Sequence, residues 1–143
     1  MSKPPFEILE HTADVGLRAF GETLAELFAN AARGMIAIAF EGEAAAQENR
    51  PKQCRKLTAS GADREEVLVQ FLSEILYALD TEGWRFAEFR IQTIEPNAIE
   101  AEGWGSREKR SEHSRVAVKA VTYHQVSVTQ TGQGWEAVVY FDI

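Results

Sequence analysis

The 143-residue sequence predicts an α+β fold: one domain, 1–143, with two amphipathic helices packed on mixed or antiparallel sheets. Three features point there. Two segments carry apolar residues at helical spacing, each behind a capping signature. The chain from Trp84 onward reads almost wholly as strands. A strand-helix-strand-strand order occurs twice, which suggests two related modules sharing a core, although no strong sequence repeat marks them.

Residues 6–10 and 15–21 read as a first pair of strands around the turn at HTADV. Thr23 followed by Glu26 is a capping box, and Leu24, Leu27, Phe28, Ala31, Ala32, Met35 and Ile38 predict a helix from about 24 to 38. Gly34 inside it costs about 1 kcal/mol against Ala. Glu41 to Pro51 lacks apolar periodicity and reads as an exposed loop. Residues 52–60 look extended. Asp63 and Glu66 repeat the capping signature, and Val67, Leu68, Phe71, Leu72, Ile75, Leu76 and Leu79 give a second helix that stops near Glu82-Gly83.

Phe86, Phe89 and Ile91 then share one strand, and Ile99, Ala101 and Gly103 the next, across a Pro96-Asn97 turn. Gly105 to Ser114 reads as a polar loop. Val116–Thr122, Gln125–Thr131 and Trp135–Phe141 complete the sheet, with His124 in a tight turn between the first two. Thr131-Gly132-Gln133-Gly134 suits a hairpin.

Composition narrows the function classes. A net charge of −7 argues against a generic nucleic-acid binder, which carries a basic surplus. Arg107, Lys109, Arg110, Arg115 and Lys119 cluster locally and read as a solvated loop and strand face, or else as a local contact with RNA or an acidic protein surface. No apolar run approaches the ~20 residues of a membrane span, and Met1 to Pro5 does not resemble a signal peptide. Cys54 is the only cysteine, so no intrachain disulfide forms, and a cytoplasmic location is the expectation.

Common catalytic signatures are missing. There is no phosphate-binding Gly-x-x-x-x-Gly-Lys loop, no dinucleotide fingerprint and no nucleophile elbow. His11, His113 and His124 lack the close spacings of zinc ligands and read as structural or loop residues. Trp84, Trp104 and Trp135 fall in strands, where packing is the ordinary role. Glu74 reads as a solvated helix residue or a bridge to a nearby base. Asp80 and Glu82 lie in the last helical turn, where the macrodipole disfavours them.

One constellation stands out. The last strand-like run carries Asp142 and the carboxylate of Ile143 to the edge of the fold, and Asp14 lies in the turn just before a strand near the other end. Brought together, these oxygens would suit a hard divalent cation. Taken singly, Asp14 is an ordinary turn residue and Asp142 a solvated charge.

HTADVGLRAFG (11–21), TLAELFANAARGM (23–35), FLSEILYALDTEG (71–83), VKAVTYHQVSV (118–128) and GWEAVVYFDI (134–143) together resemble the archease family, in the same order over most of the chain. The resemblance implies an accessory protein with no reaction of its own. Its partner would be a tRNA-splicing RNA ligase of the RtcB class, which joins a 2′,3′-cyclic phosphate or 3′-phosphate end to a 5′-hydroxyl through a guanylylated histidine. Archease would promote that guanylylation and repeated turnover, with RNA contacted only through the ligase and no membrane involved. The resemblance also implies a metal site at Asp14, Asp142 and Ile143, the last through a main-chain or terminal oxygen. Calcium is the expected occupant of crystals, with magnesium or manganese as working ions. Two other readings stay open: a general interaction or chaperone module for RNA-modifying proteins, and a metal-dependent phosphoesterase using His11 or His124 as acid or base.

The sequence departs from the family pattern in two places. The family commonly has Glu after the glycine at Gly105, and an aspartate where Lys109 stands; here Ser106 follows Gly105. Phe71 and Ser73 replace the usual Trp and Asn, as packing changes.

Overall fold

The computed structural model describes residues 3–10, 14–40, 53–108 and 116–143, with Glu10 as backbone only. The expected loop from Glu41 to Pro51, together with His11, Lys109, Arg110, His113 and Arg115, lies outside the described residues. Seven strands and two helices follow in the order β1 (Phe6–Glu10), β2 (Asp14–Gly21), α1 (Leu24–Ala39), β3 (Gln53–Ser60), α2 (Arg64–Thr81), β4 (Trp84–Glu95), β5 (Ala98–Arg107), β6 (Ala120–Thr131) and β7 (Gly134–Asp142). The α+β class is as the sequence predicts. Both sheets are antiparallel throughout, ordered β1-β2-β7-β6 and β3-β5-β4.

The strand orders bear out the two modules and show how they are joined. Within the first sheet, β2, β6 and β7 run β2-β7-β6; in the second, β3, β4 and β5 run β3-β5-β4. Each is therefore a strand, a helix and a hairpin whose last strand sits in the middle. The second module is inserted whole between α1 and β6 of the first. Each helix also crosses between modules: α1 lies on β2 and β4, and α2 on β3 and β6. One core results, with Leu17, Val139 and Phe141 from the first sheet and Leu57, Phe86 and Ile99 from the second.

Both helices start as their sequences dictate. Thr23 Oγ1 accepts the Glu26 N–H at 3.1 Å, and Glu26 reaches back to the Glu22 N–H at 3.0 Å. Asp63 and Glu66 repeat the arrangement at 2.9 Å, with the Ala62 N–H at 2.6 Å from Glu66 Oε1. These caps satisfy N–H groups that have no partner inside the helix. Gly34, a weak point by helix propensity, is a point of closest approach. A Cβ there would fall 2.6 Å from Leu17 Cδ1, so glycine lets α1 settle onto β2.

Three strand boundaries differ from the sequence reading. β5 continues through Gly105 and Ser106 to Arg107, because it pairs with β4 from Trp84↔Arg107 to Phe86↔Gly105. Val116 to Lys119 is not a strand; it docks by main-chain bonds from Ala117 N–H to Ala39 and from Lys119 N–H to Asp142. β6 is continuous across His124, and the expected turn is a bulge within it between Thr122 and Ser127. In β5 and β6, cross-strand partners hold as strand what polar residues suggest is loop or turn.

A buried-side ion cluster ties β3 to the end of α2. Arg55 donates from Nε and Nη2 to the two Glu82 oxygens at 2.7 and 3.1 Å, and from Nη1 to Glu74 at 3.0 Å. Trp84 Nε1 adds a bond to Glu82 at 3.1 Å. This explains an acid at a helix C-terminus: Arg55 supplies the positive charge that the macrodipole does not. The Arg55 hydrogen bonds hold the Glu82 carboxyl below its ordinary range, against the opposing effect of burial.

The stabilisation from Glu82 is thus complete above the unfolded carboxyl value of about 4.3 and is lost as pH falls through the lower folded value. Glu82→Gln is expected to cost about 1–2 kcal/mol near neutral pH and to flatten the acid limb of stability below roughly pH 5; urea titrations of both proteins across that range check it. Leu72, fully buried, gives the packing counterpart. Leu72→Ala is expected to cost about 2–5 kcal/mol through a core cavity, measured by the same titration.

Candidate metal centre at the end of the β2–β7 pair

Period-two alternation assigns the faces of β2 and β7. Leu17 and Ala19 on β2, and Ala137, Val139 and Phe141 on β7, face the helices and are buried. The intervening residues face away: Asp14, Gly16 and Arg18 on β2, and Glu136, Val138, Tyr140 and Asp142 on β7. The register is continuous from Gly21↔Trp135 to Asp14↔Asp142. Asp14 and Asp142 are therefore direct cross-strand partners on the outer face, at the open end of the sheet. Residues so opposed hold their Cβ atoms about 4.5–5.5 Å apart.

Asp142 is also the partner of Ala120 on β6, and its carbonyl accepts the Lys119 N–H at 2.8 Å. The last strand is thus held on both sides up to its final residue. Ile143 follows, half-exposed. The three residues that the sequence singles out, Asp14, Asp142 and Ile143, meet at one place in the fold.

The donor set fits a hard divalent cation. Two carboxylates placed opposite one another repel, and a cation between them reverses the sign of that interaction. All the donors are oxygens, which suits calcium, magnesium or manganese. Among the described residues no three His, Cys, Asp or Glu side chains are grouped so as to hold a metal ion. Asp14 and Asp142 would need main-chain or carboxylate oxygen from Ile143 and outside ligands to fill a coordination sphere. Asp142 and Ile143 are exposed on the side away from the protein, whereas Asp14 Oδ1 is buried.

Other candidates separate from this place. Glu74 and Glu82 belong to the Arg55 cluster. Cys54 is exposed on edge strand β3. Trp84 is buried against Phe86, with ring centroids 5.3 Å apart; Trp104 and Trp135 lie under the guanidinium groups of Arg90 and Arg64. Arg107 donates to the Glu82 carbonyl at 2.9 Å. The sequence reading missed Tyr140, which alternation would have placed on the same face as Asp142, two residues away.

Residues 6–143 match the Archease protein family (MTH1598/TM1083). The chain belongs to the archease family. Protein archease of Methanosarcina barkeri is 35% identical over 143 residues, covering 96% of this chain and 95% of that protein. Protein archease of Saccharolobus solfataricus is 38% identical over 141 residues, covering 96% and 98%. Among solved structures, protein 1598 of Methanobacterium thermoautotrophicum superposes with a TM-score of 0.73 at 29% identity, over 97% of this chain and 99% of that one. A Thermotoga maritima protein, described as an archease and possible chaperone, shares the fold with a TM-score of 0.60 at 23% identity, over 100% and 98%. No helix among the described residues of this archease is long and apolar enough to cross a membrane.

Opposed carboxylates predict a stability signature. In metal-free buffer, Asp142→Asn is expected to keep or raise the melting temperature, because it removes like-charge repulsion across this rung. Thermal melts with chelator present, at low and high salt, check this. The difference should shrink as salt screens the pair.

Proposed function

We propose that this archease is an accessory protein of an RNA ligase of the RtcB class, promoting ligase guanylylation and repeated turnover, and is not itself an enzyme. The observation that supports this reading best is the direct opposition of Asp14 and Asp142 at the open end of the sheet. In the proposal these two carboxylates and an oxygen of Ile143 hold a divalent ion. When bound, that ion would supply positive charge for phosphate oxygens presented by a partner. The protein's own part is to fix the two carboxylates on paired strands and to leave Asp142 and Ile143 accessible. The same reading makes contact with RNA indirect, through the ligase, and places the protein in the cytoplasm.

The open geometry agrees with a role in trans. A structural ion is usually enclosed, whereas an ion at the edge of a sheet keeps positions for outside ligands. The acidic surface balance also favours a protein partner over a direct grip on a phosphate backbone.

The decisive assay is multiple-turnover RNA joining and guanylylation of the cognate ligase, with thermal melts in parallel. Asp14→Ala, Asp142→Ala and a chain extended beyond Ile143 are expected to melt cooperatively and to lose activation. Leu72→Ala should lose activation only as it unfolds. Full activation by the folded Asp14→Ala and extended proteins would refute a role for this end of the sheet. Hydrolysis of a phosphate ester by the isolated protein with manganese would favour the enzyme reading instead.

A further inference from the structure

Tyr140 stands one rung inward from Asp142 on the same outer face of β7. Its cross-strand partners are Gly16 on β2 and Thr122 on β6. The ring is turned over Gly16: a Cβ at that position would lie 2.7 Å from Tyr140 Cε2, and 3.0 Å from Leu9 Cβ. The glycine of the HTADVG segment therefore makes room for an aromatic ring beside the acidic rung.

The other side of that ring is also built. His124 meets Tyr140 in an edge-on arrangement, with centroids 5.9 Å apart and planes at 65°. His124 reaches this position through the β6 bulge, where Tyr123, His124, Gln125 and Val126 all lie between the Thr122↔Tyr140 and Ser127↔Val138 pairs. Gln125 takes φ 53° there, the only non-glycine residue with positive φ among the described residues. Thr122 Oγ1 donates to the Tyr140 carbonyl at 3.0 Å and accepts the His124 N–H at 3.3 Å. On the inner side Gln70 of α2 donates to the Tyr123 hydroxyl at 2.6 Å. The bulge is anchored to a helix while its histidine leans on Tyr140.

We infer that Tyr140 is a positioning residue for the Asp14–Asp142 pair, its ring held over Gly16 by His124 so as to wall the inner side of the two carboxylates. The inference rests on the metal site proposed above. A ring in that place would bar the inward side to the two side chains and direct them toward the end of the sheet. By the same placement it would exclude water from that side, reduce screening and strengthen the hold of the pair on a cation. Gly16 is then a requirement of the site, because any side chain there would lift the ring.

Terbium, an oxygen-seeking substitute for calcium, serves as the probe because a nearby tyrosine sensitises its emission. The parent protein, Tyr140→Ala, Tyr140→Phe and Gly16→Ala are titrated with Tb³⁺, with affinity also measured by calorimetry with Ca²⁺. Two-dimensional NMR spectra report folding. Tyr140→Ala and Gly16→Ala are expected to weaken binding about tenfold or more. Tyr140→Phe should retain the parent affinity and lose much of the tyrosine-sensitised emission, although Tyr77 and Tyr123 remain. If Tyr140→Ala fails to fold, Gly16→Ala decides by the same comparison. Parent-like affinity in a folded Tyr140→Ala or Gly16→Ala protein would overturn this inference and leave the metal site standing. Absence of saturable binding by the parent would overturn both.

Discussion

The antiparallel pairing of β2 with β7 is the constraint on which the rest of the molecule depends. It joins a strand that opens near residue 14 to one that closes at residue 142. Everything between them is held inside that closure. The insertion of one strand-helix-hairpin module into another makes the pairing as non-local as this chain allows, so it carries a large loop-closure entropy. The compensation comes from the shared core. Leu17, Val139 and Phe141 are fully or almost fully buried against the helices, and each helix seals both sheets at once. Neither module could bury its helix as completely alone.

The same pairing decides where charge collects. At the end of α2, Glu74 and Glu82 are answered from within by Arg55, and the cluster is satisfied. At the end of the sheet, the register sets Asp14 against Asp142, and the described residues offer Asp142 no comparable base. The first arrangement is a stabilising contact. The second uses stability to hold like charges close, a pattern associated with binding sites more than with scaffolds. The aromatic row of Tyr140 and His124 lies beside the second arrangement only, and Gly16 is the opening that admits it.

Membership of the archease family rests on residues 6–143 and on relatives that cover 96% of the chain. The departures that the resemblance implies at Ser106 and Phe71 both fall on buried positions. Ser106 is buried in β5, opposite Arg85. Phe71 is fully buried beside Phe28, with ring centroids 6.0 Å apart, so it does the packing work of a larger aromatic. The backbone of Ser106 belongs to a strand, which confines any effect of the family difference there to the side chain.

Helix positions were legible in the sequence because caps and apolar periodicity are local. Thr23 with Glu26 and Asp63 with Glu66 are within one turn of each other, and the expected bonds form. The doubled module order was legible for the same reason, since strands and helices can be counted without knowing their neighbours. The alternation of β7 also determines that Asp142 shares a face with Tyr140. What the sequence by itself did not determine was pairing. Whether Gly105 to Arg107 is loop or strand depends on β4, and whether residues 123–126 turn or bulge depends on β7 and α2. Register across a closure of more than a hundred residues is set by the fit of whole faces against the helices, and a slip of one residue would turn every side chain over. Tertiary structure alone therefore placed Asp14 opposite Asp142, and laid the Tyr140 ring in the space that Gly16 leaves open.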